Sequence, residues 1–170
     1  LIAAGTSAPS AGTARVAAVT LTSTNVGYVV VSADGTAGVG TITISAGSTV
    51  VATETVTFSG AAASYAANQS SSIYAATTAP TTPGTQTILV TVKDAAGNAV
   101  VDGTTVYAAS GTTTVAAVTA SATTTSGVAT FTITGALAGT SVITFGNAAS
   151  SATVSTTSTV TVGSATIGSV

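Results

Sequence analysis

Apolar residues recur at every second position through much of this chain, and that period of two constrains its fold more than any other feature. In "TQTILVTVK", Thr85 to Lys93, residues Ile88, Val90 and Val92 fall on one face, with Thr87, Leu89, Thr91 and Lys93 on the other. The same alternation sets Ala129, Phe131 and Ile133 in phase in "VATFTITG", Ile143 and Phe145 in "TSVITF", and Val160 and Val162 in "TVTV". β-branched residues fill these runs, and Gly, Ser, Asn and Asp cluster between them. The pattern predicts an all-β protein built as a sandwich. The Ala-rich pieces are broken by Gly, Ser, Thr or Pro before a helix could nucleate.

Composition narrows the setting. Charged residues make up 4% of the 170 residues, where a soluble domain has about 25%. Surface solvation must therefore come from Thr, Ser, Asn and backbone, or the surface must be covered by something else. Mean hydropathy is +0.67, yet Thr, Ser or Gly interrupts every apolar run well short of the roughly 18 to 20 residues of a spanning helix. There is no basic segment followed by an apolar one at the start, and the first residue is Leu1, as in a mature or excised segment.

The absence of Cys and His removes disulfides, thiolate metal sites, and the commonest general base and zinc ligand. Two basic residues, Arg15 and Lys93, are too few for a phosphate-neutralising patch, which argues against nucleic acid.

Internal repetition organises the chain. "GTARVAAVTLTSTN" from Gly12 aligns with "GTTTVAAVTASATT" from Gly111, 99 residues on. Gly38, Ile42 and Ile44 answer Gly139, Ile143 and Phe145, 101 residues on, and "TVTF" ending at Phe58 answers "TVTV" ending at Val162, 104 residues on. The expected organisation is the later part of one module (1–60), a complete module (61–163) and the first strand of a third (164–170). A cut from a longer repetitive protein accounts for this phase. If the 170 residues were instead a whole chain, the segment Ala165 to Val170 would be an orphan strand, suited to exchange between subunits by β-augmentation.

The complete module resembles the bacterial Ig-like domains of the Big, invasin/intimin type. The resemblance is carried by "VTVKDAAGNAV", "DGTTVYAASG" and "TTSGVATFTITGALAGTSVITF", covering about residues 80–163 and, more weakly, 12–60. It implies tandem immunoglobulin-like β-sandwich modules, as found in surface-layer proteins and adhesins of the cell envelope. Such modules serve as spacer, stalk and binding tip alike, so the resemblance speaks to fold before function.

The rare charges at "KDAAGN" have a local explanation. Asp94 can accept backbone N–H bonds, Gly97 can supply φ > 0 and Asn98 tolerates the left-handed region, so this is a structural turn. Lys93 is expected to point outward and discourage edge pairing. Asp94 and Asp102 read as solvated turn aspartates; calcium is the alternative for the pair, with loop carbonyls completing its oxygen ligands. No catalytic constellation emerges: Ser and Thr are abundant, but no His activates them and no G-x-S-x-G turn is present. A Lys93 isopeptide bond to Asn68 or Asn147 is a minor alternative. Asn68-Gln69-Ser70 is an N-x-S sequon, a candidate glycosylation site.

The expected function is structural, with no enzymatic activity or cofactor. The chain reads as a segment of a secreted tandem Ig-like protein of the cell surface, a surface-layer subunit, filament or stalk, whose uncharged Thr/Ser/Ala faces meet copies of itself or adjacent modules. The alternatives are an adhesin module binding glycan or host protein, where Tyr65 and Tyr74 are the aromatic candidates before the Pro80 to Pro83 bend, and an Ig-like virion decoration or tail protein.

Overall fold

The computed structural model describes residues 1–21, 25–34, 36–76 and 86–163. The described residues form strands without a helix. Two compact units divide the chain, Leu1–Phe58 and Ser59–Val170.

The first unit holds two antiparallel strand pairs. β1 (Ile2–Gly5) pairs with β2 (Tyr28–Val31), from Ile2 opposite Val31 to Gly5 opposite Tyr28. β3 (Gly38–Ala46) and β4 (Thr49–Phe58) form a long hairpin, from Gly38 opposite Phe58 to Ala46 opposite Thr49, with an irregularity between Ile44 and Ser45. Gly47 takes φ 62° in its turn, where a side chain would be strained. None of the fully buried hydrophobic residues described belongs to this unit.

The second unit is a sandwich of two four-stranded antiparallel sheets. Its strands are β5 (Ser64–Gln69), β6 (Thr87–Lys93), β7 (Thr105–Ser110), β8 (Ala116–Val118), β9 (Ser121–Thr123), β10 (Val128–Gly135), β11 (Gly139–Gly146) and β12 (Ser155–Val162). One sheet has the order β5-β6-β10-β8 and the other β12-β11-β7-β9. The strands β5, β6, β10 and β8 against β7, β11 and β12 reproduce the two-sheet order of an immunoglobulin fold, with β9 added beside β7. β8 and β9 are separated by Thr119 and Ala120 alone, yet belong to opposite sheets, so this short stretch crosses the sandwich.

Alternation places the core. Ile88, Val90, Val92, Ala129, Phe131 and Ile133 from one sheet meet Val106, Ile143, Phe145, Val160 and Val162 from the other in one buried cluster. The rings of Phe131 and Phe145 lie 5.0 Å apart, tilted by 57°, a favoured aromatic geometry. Buried polar groups are paired, as between the neighbouring strands β7 and β11. Ser141, 2% exposed, shares a 2.8 Å hydrogen bond with Ser110 and accepts the Thr112 N–H at 3.0 Å.

Ser59–Val170 closes two sheets over a core, whereas the described residues of Leu1–Phe58 form two strand pairs. Two sequence expectations change. β6 is an interior strand between β5 and β10, so Lys93, though exposed, guards no sheet edge. Asp94 is 3% exposed rather than solvated. The strand expected at 164–170 and the Pro80 to Pro83 bend lie outside the described residues.

Candidate functional site

All three charged side chains of the second unit gather at one end of the sandwich. β6 ends at Lys93, Asp94 follows it, and Asp102 precedes β7. The same end holds the tight turn into β10, where Thr125 and Val128 exchange backbone bonds around Ser126 (φ 51°) and Gly127 (φ 74°). That two-residue, doubly positive-φ turn suits the strand twist. A Cβ on Gly127 would lie 2.7 Å from that of Ala99, so glycine is required for packing as well.

Asp94 organises this end. Its Oδ1 accepts the N–H groups of Ala96 and Asn98, each at 2.9 Å. Its Oδ2 accepts the Gly60 N–H at 2.9 Å and the Asn98 side-chain N–H at 3.4 Å. These donors hold the carboxyl below the usual range; the Gly60 N–H contributes most and burial opposes it. Gly97 takes φ 84° in the turn. Asn98 does not use the left-handed freedom expected of it, since positive φ outside glycine falls on Asn25, Ser126 and Ser151. Its part is to donate two hydrogen bonds to Asp94.

Asp102 is exposed, and its Oδ1 accepts the Ser126 N–H at 2.6 Å, bracing the turn before β10. A carboxylate has about four lone-pair sites, and four N–H groups already occupy those of Asp94. The donor set therefore does not fit calcium. Among the described residues no group of three or more His, Cys, Asp or Glu is arranged to hold a metal.

The remaining candidates are separated. Asn68 is exposed on β5, opposite Leu89. Lys93 stands opposite Ser64 on the same strand pair, whereas Asn147 bonds Thr153 and Val154 within the loop before β12. Tyr74, 1% exposed, and Tyr65, 9% exposed, belong to the core and offer no surface aromatic platform. Burial raises the pKa of both phenols. Tyr74 donates to the Thr87 carbonyl at 3.1 Å, while the Tyr65 hydroxyl is buried without a partner among the described residues.

Apart from Lys93 at the end of β6, the sheets' outer faces carry no charge. On β11 and β12, Thr140 stands opposite Thr161, Val142 opposite Thr159 and Thr144 opposite Thr157. On β10, Thr130 and Thr132 face outward, beside Leu89 and Thr87 of β6. The first unit repeats the device: Val39 opposite Thr57, Thr41 opposite Thr55 and Thr43 opposite Thr53 form an exposed Thr ladder on β3 and β4. Sequence reasoning anticipated the outward Thr phase, but not Gly60, Ser110 or Ser141. Their partners lie about 30 residues away, and no local pattern announces them.

No protein-family model matches the chain, and no curated protein matches it. Among solved structures the chain is similar to domains 4 and 5 of the S-layer protein SbsC, at 23% identity and TM-score 0.45, over 74% of this chain and 65% of that one. A longer structure of the S-layer protein rSbsC is similar at 23% identity and TM-score 0.44, over 75% of this chain and 16% of that one. The chain thus spans less than two thirds of the length of either.

Proposed function

We propose that this chain is a structural segment of a secreted, tandem Ig-like protein of the cell surface, of the surface-layer, filament or stalk kind, which associates with copies of itself through its sheet faces. The observation that carries this reading is the segregation of charge: Lys93, Asp94 and Asp102 sit at one end of the sandwich, and beyond Lys93 the outer faces of both sheets carry no charged side chain and are mostly Thr, Ser, Ala and Val. Such faces approach one another without like-charge repulsion and without stripping water from an ion. Their short side chains also lose little rotamer freedom on contact. A free monomer normally holds itself apart by net charge, and this chain has a formal charge of −2 spread over 170 residues.

The reading is tested by sedimentation velocity and electron microscopy of the full chain across a concentration series. Ordered assembly that persists as salt is raised supports it, because uncharged contacts are not screened. A chain that stays monomeric at every concentration sinks it. Thr144→Lys with Thr157→Lys places two charges on the β11–β12 ladder and is expected to shift assembly to at least ten-fold higher concentration.

A further inference from the structure

The carboxylate of Asp94 does more than shape its own turn. Three of its four donors come from Ala96 and Asn98, but the fourth is Gly60, 34 residues earlier in the chain. Gly60 lies in the segment Ser59–Ala63 that leads into β5. That segment is also held by the Ala63 N–H, which donates to the Lys93 carbonyl at 2.8 Å. Both bonds converge on the residues where β6 ends.

Strand registers place the two ends of the sandwich. β5 begins at Ser64 opposite Lys93, at the Asp94 end. β12 finishes at Val162 opposite Gly139, the first residue of β11, whereas the Asp94 end of that strand is Gly146. The chain therefore comes in at one end and leaves at the other, where Gly163 donates to Tyr74 at 2.9 Å and Tyr74 donates to Thr161 at 2.8 Å. Tension along the chain runs parallel to the strands. On the lead-in side it reaches the Asp94–Gly60 bond before it reaches any pair of the β5–β6 ladder.

We propose that Asp94 is a latch, which fastens the lead-in Ser59–Ala63 to the β6–β7 turn and keeps β5 from peeling when the chain is pulled. The latch is independent of self-association. It needs a carboxylate: asparagine at the same place would turn an N–H₂ toward donors that already require acceptors. It is also specific in place, because the Gly60 N–H precedes β5 and has no ladder partner of its own.

The experiment is amide hydrogen exchange on the full chain, read separately at Gly60 and Ala63 and at the core strands β6 and β10, paired with end-to-end force-ramp unfolding. With Asp94→Asn, exchange at Gly60 and Ala63 is expected to rise by about ten-fold or more, with a smaller change in the core, and the second unit should open at lower force. Gly60→Pro removes the donor while leaving Asp94 and its turn in place; position 60 then has no amide to read, and the variant should reproduce the rise at Ala63 and the lower opening force, which decides the matter if Asp94→Asn does not fold. The core substitution Ile133→Val is the control for a general loss of stability. Unchanged exchange at Gly60 and Ala63, equal acceleration of lead-in and core, or an unfolding force matching that of the control overturns the latch.

Discussion

The pentapeptide VAAVT occurs twice, at Val16–Thr20 and Val115–Thr119, and folds differently each time. In the second unit Ala116–Val118 is strand β8, paired with Ile133 to Gly135 of β10, and Ala116 is fully buried. In the first unit the same residues form no strand, and Val16 is 83% exposed. The hairpins teach the same lesson from the other side. Gly38 and Gly139 share φ values of 149° and 150°, and each opens a hairpin paired back to the last residue of the next strand, Phe58 and Val162. Yet Ile143, Phe145, Val160 and Val162 are sealed at 0–2% exposure, whereas their counterparts Ile42, Ile44, Val56 and Phe58 are half-buried or exposed. Several of the latter line an open groove of about 350 Å³. A hairpin can form from local pairing and turn chemistry; a core requires the second sheet.

The comparison is tested most severely by removing one ring from each unit. Phe131→Ala empties a site at the centre of the sandwich and should cost about 3–5 kcal/mol. Phe58→Ala removes a half-buried ring at the groove and should cost about 1 kcal/mol. Denaturant unfolding of both variants in the full chain measures the difference. Equal losses would mean that the first unit has a core of its own kind.

A smaller effect isolates the polar core. Ser141→Ala strips the Thr112 N–H of its acceptor and should lower the stability of the second unit by about 1–2 kcal/mol. Gly40 stands at the equivalent place in β3 and has no hydroxyl to lose. A neutral Ser141→Ala, measured in the same denaturant titration, would remove the Ser110–Ser141 pair from the account of what fixes that sandwich.

Acid should separate the units as well. A depressed carboxyl contributes stability that is present above its unfolded pKa near 3.9 and is lost as pH falls through its lower folded value. Asp94 is such a group, and its chief cause is a long-range bond to Gly60. Asp34 is depressed too, but by Thr36, two residues along, in a bond that an unfolded chain can also make. Below about pH 4 the second unit is therefore expected to lose stability while the first changes little. Asp94→Asn should flatten that acid limb; an unchanged limb would assign it elsewhere.

What could be read from sequence follows the range of the interaction. The inward phase of Ile88, Val90 and Val92, of Phe131 and Ile133, and of Ile143 and Phe145 was legible because strand period and residue type are local. The turn at Asp94 was legible as a turn. Its bond to Gly60 was not, because that donor lies 34 residues earlier in the chain. Tyr74 and Thr124 are buried by topology, with no periodic run to mark them. The crossing of β8 to β9 between sheets was equally hidden, since VAAVT reads alike in both copies. At the candidate site, the turn and its local donors were visible in sequence and the distant donor Gly60 was not.

The smallest expected effect is also the most direct test of that last point, because it uses one substitution in one pentapeptide. Val115 is half-buried and packs on the core, where its methyls would meet a Cβ on Gly139 at 3.2 Å and 3.6 Å. Replacing it with threonine keeps the shape and sets a hydroxyl against apolar neighbours, which should cost about 1 kcal/mol. Val16→Thr makes the same change in water and should stay within about 0.5 kcal/mol of the parent. Thermal or denaturant unfolding of the two variants compares them without altering length, charge or local sequence. If Val16→Thr proved as costly as Val115→Thr, then Val16 would be covered in solution, and the difference between the units would lie in their conformational equilibrium rather than in the strands available to each.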